Sequence, residues 1–380
     1  MKIGFFGFLF VLSAAVFTHM SYAAQNTANN NIHYEIVYDG AEREEIAGRM
    51  EALFEAYNRL FMFDPAAAAV PMKVRVFNNT KMYGDYVKSR LGPAAPGAVY
   101  LHYAQRDRRE LVIDLGNEEQ ALPYQAFIQF FRSFVSQPPA WMLEGFAVFF
   151  SGLSFTDGGE LVNRENLAWL QTARKIKARP GDILTAEGYP EPASAALSWS
   201  LASFFVNSGN DEYMRSLTDS FMTLSNSATA AENAQAVMKR ILLGSGEEKL
   251  TRDYHSYLES RKTFTELVTE GQKAYSAGNR AGSELLFREA MEMEEAHPIP
   301  YYYLGLIAYD SRDFGAARQY YLAGIVREGG DQALILYSLG LNAAAAGNNA
   351  EAADFLKRAG QAAPDRYRTK TENILSRLGK

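Results

Sequence analysis

Cysteine is absent from the 380-residue chain. Its absence excludes disulfides, thiolate metal ligands, a cysteine nucleophile and lipid attachment through a lipobox cysteine. Histidine is nearly as sparse. Beyond residue 23 only His33, His102, His255 and His297 occur, and no two stand at the spacing of a metal-ligand pair. Each therefore reads as an ordinary core or surface histidine. There is no dense run of lysine or arginine, and 44 acidic against 38 basic residues give a formal charge of -6. A mildly acidic chain without an RNA-type aromatic motif argues against nucleic acid as a partner. After the first residues no uninterrupted apolar stretch reaches the roughly 20 residues that span a bilayer. Phosphate-cradling loops and a Gly-x-Ser-x-Gly elbow are also missing, since Gly244-Ser245-Gly246 and Gly278-Asn279 read as helix-ending turns.

The chain opens with Lys2, an apolar run over 3–17 and the small residues of Ser21-Tyr22-Ala23. That order is expected of a signal peptide over 1–23, cleaved after Ala23. A retained anchor is the competing reading, but the run is short for a bilayer and His19 interrupts its tail. The mature chain is thus expected to be exported, to the periplasm or outside the cell, without a transmembrane segment. Losing Lys2, the sole charge before residue 24, takes the formal charge from -6 to -7. Residues 24–31 are polar and read as a flexible leader.

From there the composition is globular, with 48% apolar and 22% charged residues, and the length suits two or three domains. Residues 33–39, 72–78, 99–103 and 110–114 have strand character, with 104–109 as a hairpin loop, and 41–61 carries helical spacing. Glu42-Arg43-Glu44-Glu45 reads as the solvated start of that helix. From Tyr124 onward the pattern turns helical, over 160–177, 194–207, 211–224, 229–243 and 247–261. The expected fold is an α+β domain over 32–262 followed by an all-α array.

The last third repeats itself. Gly271, Gly305 and Gly340 lie 34 and 35 residues apart. In that register Ser283, Ala317 and Ala352 align as small residues, then Phe287, Tyr321 and Leu356 as large ones, then Ala290, Gly324 and Ala359 as small again. Gly278-Asn279, Arg312-Asp313 and Gly347-Asn348 separate the helices of each pair, and Pro364 stands where a repeat ends. This pattern resembles the tetratricopeptide family over 263–365 as three repeats, with 366–380 as a polar capping helix. The first repeat departs most, with Glu295 at the usual proline and Glu270 at a usually apolar position.

A second resemblance rests on two neighbouring segments. Pro139-Ala140-Trp141-Met142-Leu143-Glu144-Gly145-Phe146-Ala147 follows Gln125-Ala126-Phe127-Ile128-Gln129. Zinc peptidases of the gluzincin type carry His-Glu-x-x-His on one helix, which sets two imidazoles on one face with a glutamate beside the metal-bound water, and a third ligand on a second helix. In one branch that third ligand stands in a Pro-x-Trp-x-x-Glu-Gly-x-Ala phrase. The region 32–262 thus resembles a peptidase-MA-like gluzincin domain, the helix around Ser198-Trp199-Ser200 included. The departure lies in the chemistry: Gln125 and Gln129 replace both histidines, Ala126 replaces the general base, and Glu144 alone is kept. One carboxylate cannot hold zinc, so neither cofactor nor catalysis is expected.

The bland alternative is a buried helix whose glutamines happen to lie four apart, with Glu144 as a first-turn acid favoured by the helix dipole. On the degenerate-site reading Gln125, Gln129 and Arg132 share one helical face and could satisfy Glu144 in place of zinc. The functional surface is then expected in the repeats, whose first helices offer Val268, Gln272 and Tyr275, then Tyr302, Leu306 and Tyr309, then Tyr337 and Leu341. Such a tyrosine-rich groove suits an extended peptide or partner helix and lacks the basic set that clamps a terminal carboxylate. The expected function is protein binding or scaffolding in the cell envelope. The competing readings are a hydrolase using Glu144 with a non-standard or absent metal, and a structural brace in which the tyrosines pack against the first domain.

Overall fold

The computed structural model describes residues 33–378, apart from 41–43, 69–70, 93–96, 118–120, 157–158, 166 and 187–191. The expected signal peptide and leader lie outside the described residues. The chain divides into two compact units between Arg261 and Lys262. A small mixed sheet lies at the N-terminal end and the rest is mainly helical.

The first unit is built on strands β1 (Tyr34–Asp39), β2 (Met72–Phe77), β3 (Ala98–Leu101) and β4 (Glu110–Asp114), in the order β1-β2-β4-β3. The first three neighbours run parallel, while β3 lies antiparallel to β4 at the edge. Helix α1 (Glu44–Phe61) buries Ile46, Met50, Leu53, Phe54, Tyr57, Leu60 and Phe61, a stripe with helical periodicity. Helix α3 (Leu122–Phe134) packs beside it. Its Phe127 and Phe130 meet Tyr57 at 5.4 and 5.5 Å between ring centroids, and the Tyr57 hydroxyl donates to Pro123 O at 2.7 Å. Helix α2 (Thr80–Leu91) covers the other face of the sheet with Tyr83 and Val87.

Helix α4 (Ala140–Phe150) is apolar nearly all round and is accordingly buried. It crosses α7 (Ala193–Asn207) so closely that a Cβ on Gly145 would lie 2.3 Å from Ser198 O. Helices α5 (Leu170–Ile176), α6 (Pro180–Thr185), α8 (Asp211–Phe221), α9 (Ala230–Ser245) and α10 (Glu247–Ser260) complete the unit.

One expectation needs correction, and the structure adds detail beyond the sequence reading. Residues 160–177 do not form one helix, because Leu161–Asn163 is a strand (β6) paired antiparallel with β5 (Leu153–Phe155). The turn-type sequence Asp157-Gly158-Gly159 between them is the signal that the helical reading passed over. Helices α2 and α6 were not anticipated. Among the residues of α2 only Tyr83 and Val87 are buried, which leaves little periodicity to read. The expected hairpin between β3 and β4 is present, and its loop contains a 3-10 turn at Arg106–Arg108.

The second unit consists of three helix pairs and a closing helix: α11 (Phe264–Ser276) with α12 (Arg280–Met293), α13 (Pro298–Asp310) with α14 (Phe314–Ile325), α15 (Gln332–Ala345) with α16 (Asn349–Ala362), then α17 (Pro364–Leu378). The same contact recurs in every pair. A Cβ on Gly271 would approach Phe287 to 2.9 Å, one on Gly305 would approach Tyr321 to 2.4 Å, and one on Gly340 would approach Leu356 to 2.6 Å. Missing side chains thus let a large residue of the second helix press on the backbone of the first. Ser283, Ala317 and Ala352 are buried at the crossing, and Ser283 Oγ donates to Gly271 O at 2.9 Å.

The turns also repeat, with positive φ at Gly278 (80°), Arg312 (60°) and Gly347 (82°). An arginine there carries the left-handed strain that glycine avoids. Arg312→Gly is therefore expected to raise stability by roughly 0.5–1 kcal/mol despite the looser unfolded chain, read as a shift of the urea midpoint.

Candidate functional site

Helix α3 begins at Leu122 with Pro123 in its first turn, and it ends where Val135 turns extended ahead of Pro138 and Pro139. Proline at the start costs no hydrogen bond and proline beyond the end forbids continuation, so α3 and α4 are separate helices brought side by side. Gln125, Gln129 and Arg132 do occupy one face of α3, but that face serves the sheet. Gln125 Oε1 accepts the Tyr100 amide of edge strand β3 at 2.9 Å. Gln129, 2% exposed, donates Nε2 to Lys73 O of β2 at 2.7 Å. The first of these bonds satisfies an outward N–H that a sheet edge would otherwise present.

The expected cluster of the two amides and Arg132 around Glu144 is therefore corrected. Glu144 accepts the Tyr124 hydroxyl at 2.9 Å, a partner one residue before Gln125 and on the adjoining helical face. Ala126 is buried at 1% exposure and contributes packing. In the Trp-x-x-Glu-Gly-x-Ala phrase, Trp141 and Ala147 are buried core residues and Gly145 is the crossing point with α7. Core packing alone thus accounts for three of the four residues that define the phrase. Glu144→Gln is expected to lower stability by about 1 kcal/mol, and by less in a Tyr124→Phe background. Equal losses in both backgrounds would show that the hydroxyl and carboxylate are not coupled.

Among the described residues no group of three or more His, Asp or Glu is placed to hold a metal ion. The histidines are dispersed. His33 meets Glu51 through Nδ1 at 2.6 Å, His255 Nε2 lies 3.0 Å from Ala178 O, and His297 caps α13 by accepting from Ile299 N. His102 stands with Arg109 and Arg132, and loss of hydration together with those two cations lowers its imidazole to about 4. Arg132 accordingly belongs with Tyr100, His102 and Arg109. That grouping was missed at the sequence level, although the arginines of Arg106-Asp107-Arg108-Arg109 are its visible trace.

In the second unit the residues assigned to a groove separate into two kinds. Val268 belongs to a buried cluster with Leu267, Phe287 and Leu304, so it is not a groove residue. Gln272, Tyr275, Tyr302, Leu306, Tyr309, Tyr337 and Leu341 are half-buried. Tyr302, Leu306, Tyr309 and Tyr337 rest on the core formed by Tyr321, Ile335, Leu336 and Leu339.

Several rings in this unit are fixed by neighbours. The Tyr275 hydroxyl donates to Asp310 at 2.9 Å under the Arg280 guanidinium, and burial with that carboxylate pushes its phenol up to about 12, so it stays a donor. Tyr337 packs on Tyr367 of α17 at 4.9 Å. The three consecutive tyrosines of α13 diverge. Tyr301 is buried under Arg327, Tyr303 stacks on Phe287 at 4.5 Å, and Tyr302 alone of the three rests on the core that carries Leu306, Tyr309 and Tyr337.

No protein-family model matches the chain, and a search of curated proteins finds no significant match. Among the described residues no helix is long and apolar enough to cross a membrane.

Proposed function

We propose that this is an exported, catalytically inactive peptidase-like protein whose tetratricopeptide-type repeats bind a protein or peptide partner. The observation that carries the reading is the recurrence in phase of one glycine-on-large-residue contact through three helix pairs. Such an array orients equivalent first-helix faces alike, and here those faces carry Tyr275, Tyr302, Leu306, Tyr309, Tyr337 and Leu341 half-buried. Part of each side chain remains at the surface. Rigid aromatic rings with a hydroxyl supply contact area at small entropic cost.

Loss of peptidase chemistry is supported by the positions of the two amides. Gln125 and Gln129 stand where imidazoles would be needed, and each is hydrogen-bonded to sheet backbone. Zinc content of the purified chain is expected far below one equivalent; a stoichiometric ion would overturn the pseudopeptidase reading and favour a hydrolase built around Glu144. For the repeats, Tyr302→Ala with Tyr309→Ala is expected to abolish capture of an envelope partner in pull-down with only a modest fall in melting temperature. Retained capture with a large fall would assign the tyrosines to packing.

A further inference from the structure

Arg106, Arg109 and Arg132 converge on one cleft in the first unit. Its main volume, about 380 Å³, is lined by His102, Arg109, Arg132, Ser136, Gln137, Pro138 and Ala230. An adjoining recess shares Arg109 and Arg132 and adds Arg106, Tyr100, Gln129 and Ser133. The volume falls within the roughly 300–1,000 Å³ of small-molecule sites. None of the three arginines has a carboxylate partner among the described residues. Arg106 is held by Ser136 Oγ at 2.8 Å, and Arg109 by the backbone oxygens of Tyr103 at 2.6 Å and Ala104 at 3.5 Å. Asp107, in the same loop, pairs with none of them.

Arg90 and Arg327 likewise bond to backbone oxygens and hydroxyls, whereas further arginines are paired. Arg75, Arg179, Arg240, Arg261, Arg280, Arg318 and Arg366 each meet a carboxylate. Gathering like charges without a counterion costs folding energy. Loss of hydration first, and then Arg109, lowers the Arg132 guanidinium below its ordinary value, and loss of hydration first, then Arg109 and Arg132, lowers the His102 imidazole. Hydroxyls stand among the cations: Ser136 lines the main volume, and Ser133 and Tyr100 line the recess. Ala230, the first residue of α9, closes the rim, and the N-terminus of that helix is already capped by Thr229 and the Glu232 carboxylate.

We propose that this cleft binds a phosphate dianion, either free or as the monoester of a small molecule. Guanidinium forks match tetrahedral oxyanions with two parallel hydrogen bonds each, and a charge near -2 offsets three cations better than a single carboxylate does. The site is independent of the repeats and of whether the chain descends from a peptidase.

The test is calorimetric titration of the full chain with inorganic phosphate and with glycerol phosphate, against acetate and chloride at matched ionic strength. Saturable phosphate binding is expected, with acetate weaker by about tenfold or more. A tighter glycerol phosphate would identify a monoester as the ligand, a tighter inorganic phosphate the free anion, and either supports the site. Arg132→Gln is expected to weaken phosphate at least about tenfold while the ligand-free variant melts at or above the parent, because a like-charge repulsion is relieved. Arg108→Gln, in the same loop but stacked on Tyr103 at 4.9 Å, should bind as the parent does. Phosphate heats no larger than those of chloride, an unchanged affinity in Arg132→Gln, or an equal loss in Arg108→Gln would each overturn the proposal.

Discussion

Replacing Gly145 with alanine is expected to destabilise the chain by about 2–3 kcal/mol, the upper part of the range for overpacking a well-filled core. The new Cβ would lie 2.3 Å from Ser198 O and 2.6 Å from its carbonyl carbon. Both obstacles are backbone of α7, so no side chain can rotate aside. Helices α4 and α7 must separate instead. That separation would loosen the packing of Trp141 on Phe146 and Phe205 and of Phe146 on Phe221, which lie at centroid separations of 6.1, 6.2 and 6.5 Å.

Gly48→Ala provides the contrast, because a Cβ there meets nothing within 4 Å on the exposed side of α1. Alanine at that position is expected to stabilise the chain by about 0.5–1 kcal/mol through helix propensity alone. Equal effects at the two positions in urea unfolding would refute the close crossing.

The second large effect is expected at Tyr321, which is 1% exposed and presses on Gly305. Tyr321→Ala empties the middle of the second helix pair and should cost about 3–5 kcal/mol. Tyr321→Leu should cost no more than about half of that, because leucine keeps most of the apolar volume. The chain supplies its own precedent, since Leu356 fills the equivalent position against Gly340 in the third pair. Chemical unfolding of both variants measures the ratio. If leucine were as damaging as alanine, the three pairs would not share one packing scheme.

The helix pairs were legible because their contacts are short in sequence. Gly271 and Phe287, Gly305 and Tyr321, and Gly340 and Leu356 each meet across a single turn. A local constraint repeated three times leaves a periodic trace. Helix α2 left none, because solvent accepts almost any polar residue on a surface that is not buried. The β5–β6 hairpin was hidden by its three-residue strands, too short to establish an alternation.

The candidate site in the first unit was legible only as a set of residue types. That Gln125, Gln129 and Arg132 share a helical face follows from 3.6 residues per turn. Which way the face points does not. It is set by the bonds from Tyr100 N to Gln125 and from Gln129 to Lys73 O, which join segments 25 and 56 residues apart. The arginine cleft has the same origin, since the loop before β4 and the end of α3 meet only in the folded unit.

By itself the sequence determined the absence of cysteine chemistry, the wide spacing of the histidines and the phase of the helix pairs. These are properties of residue identity and local periodicity. Tertiary structure alone decided that the two glutamines serve the sheet, that Tyr124 meets Glu144, and that three arginines gather without a carboxylate among the described residues. Each of those depends on side chains from distant segments, and only the packing of the core brings them within hydrogen-bonding range.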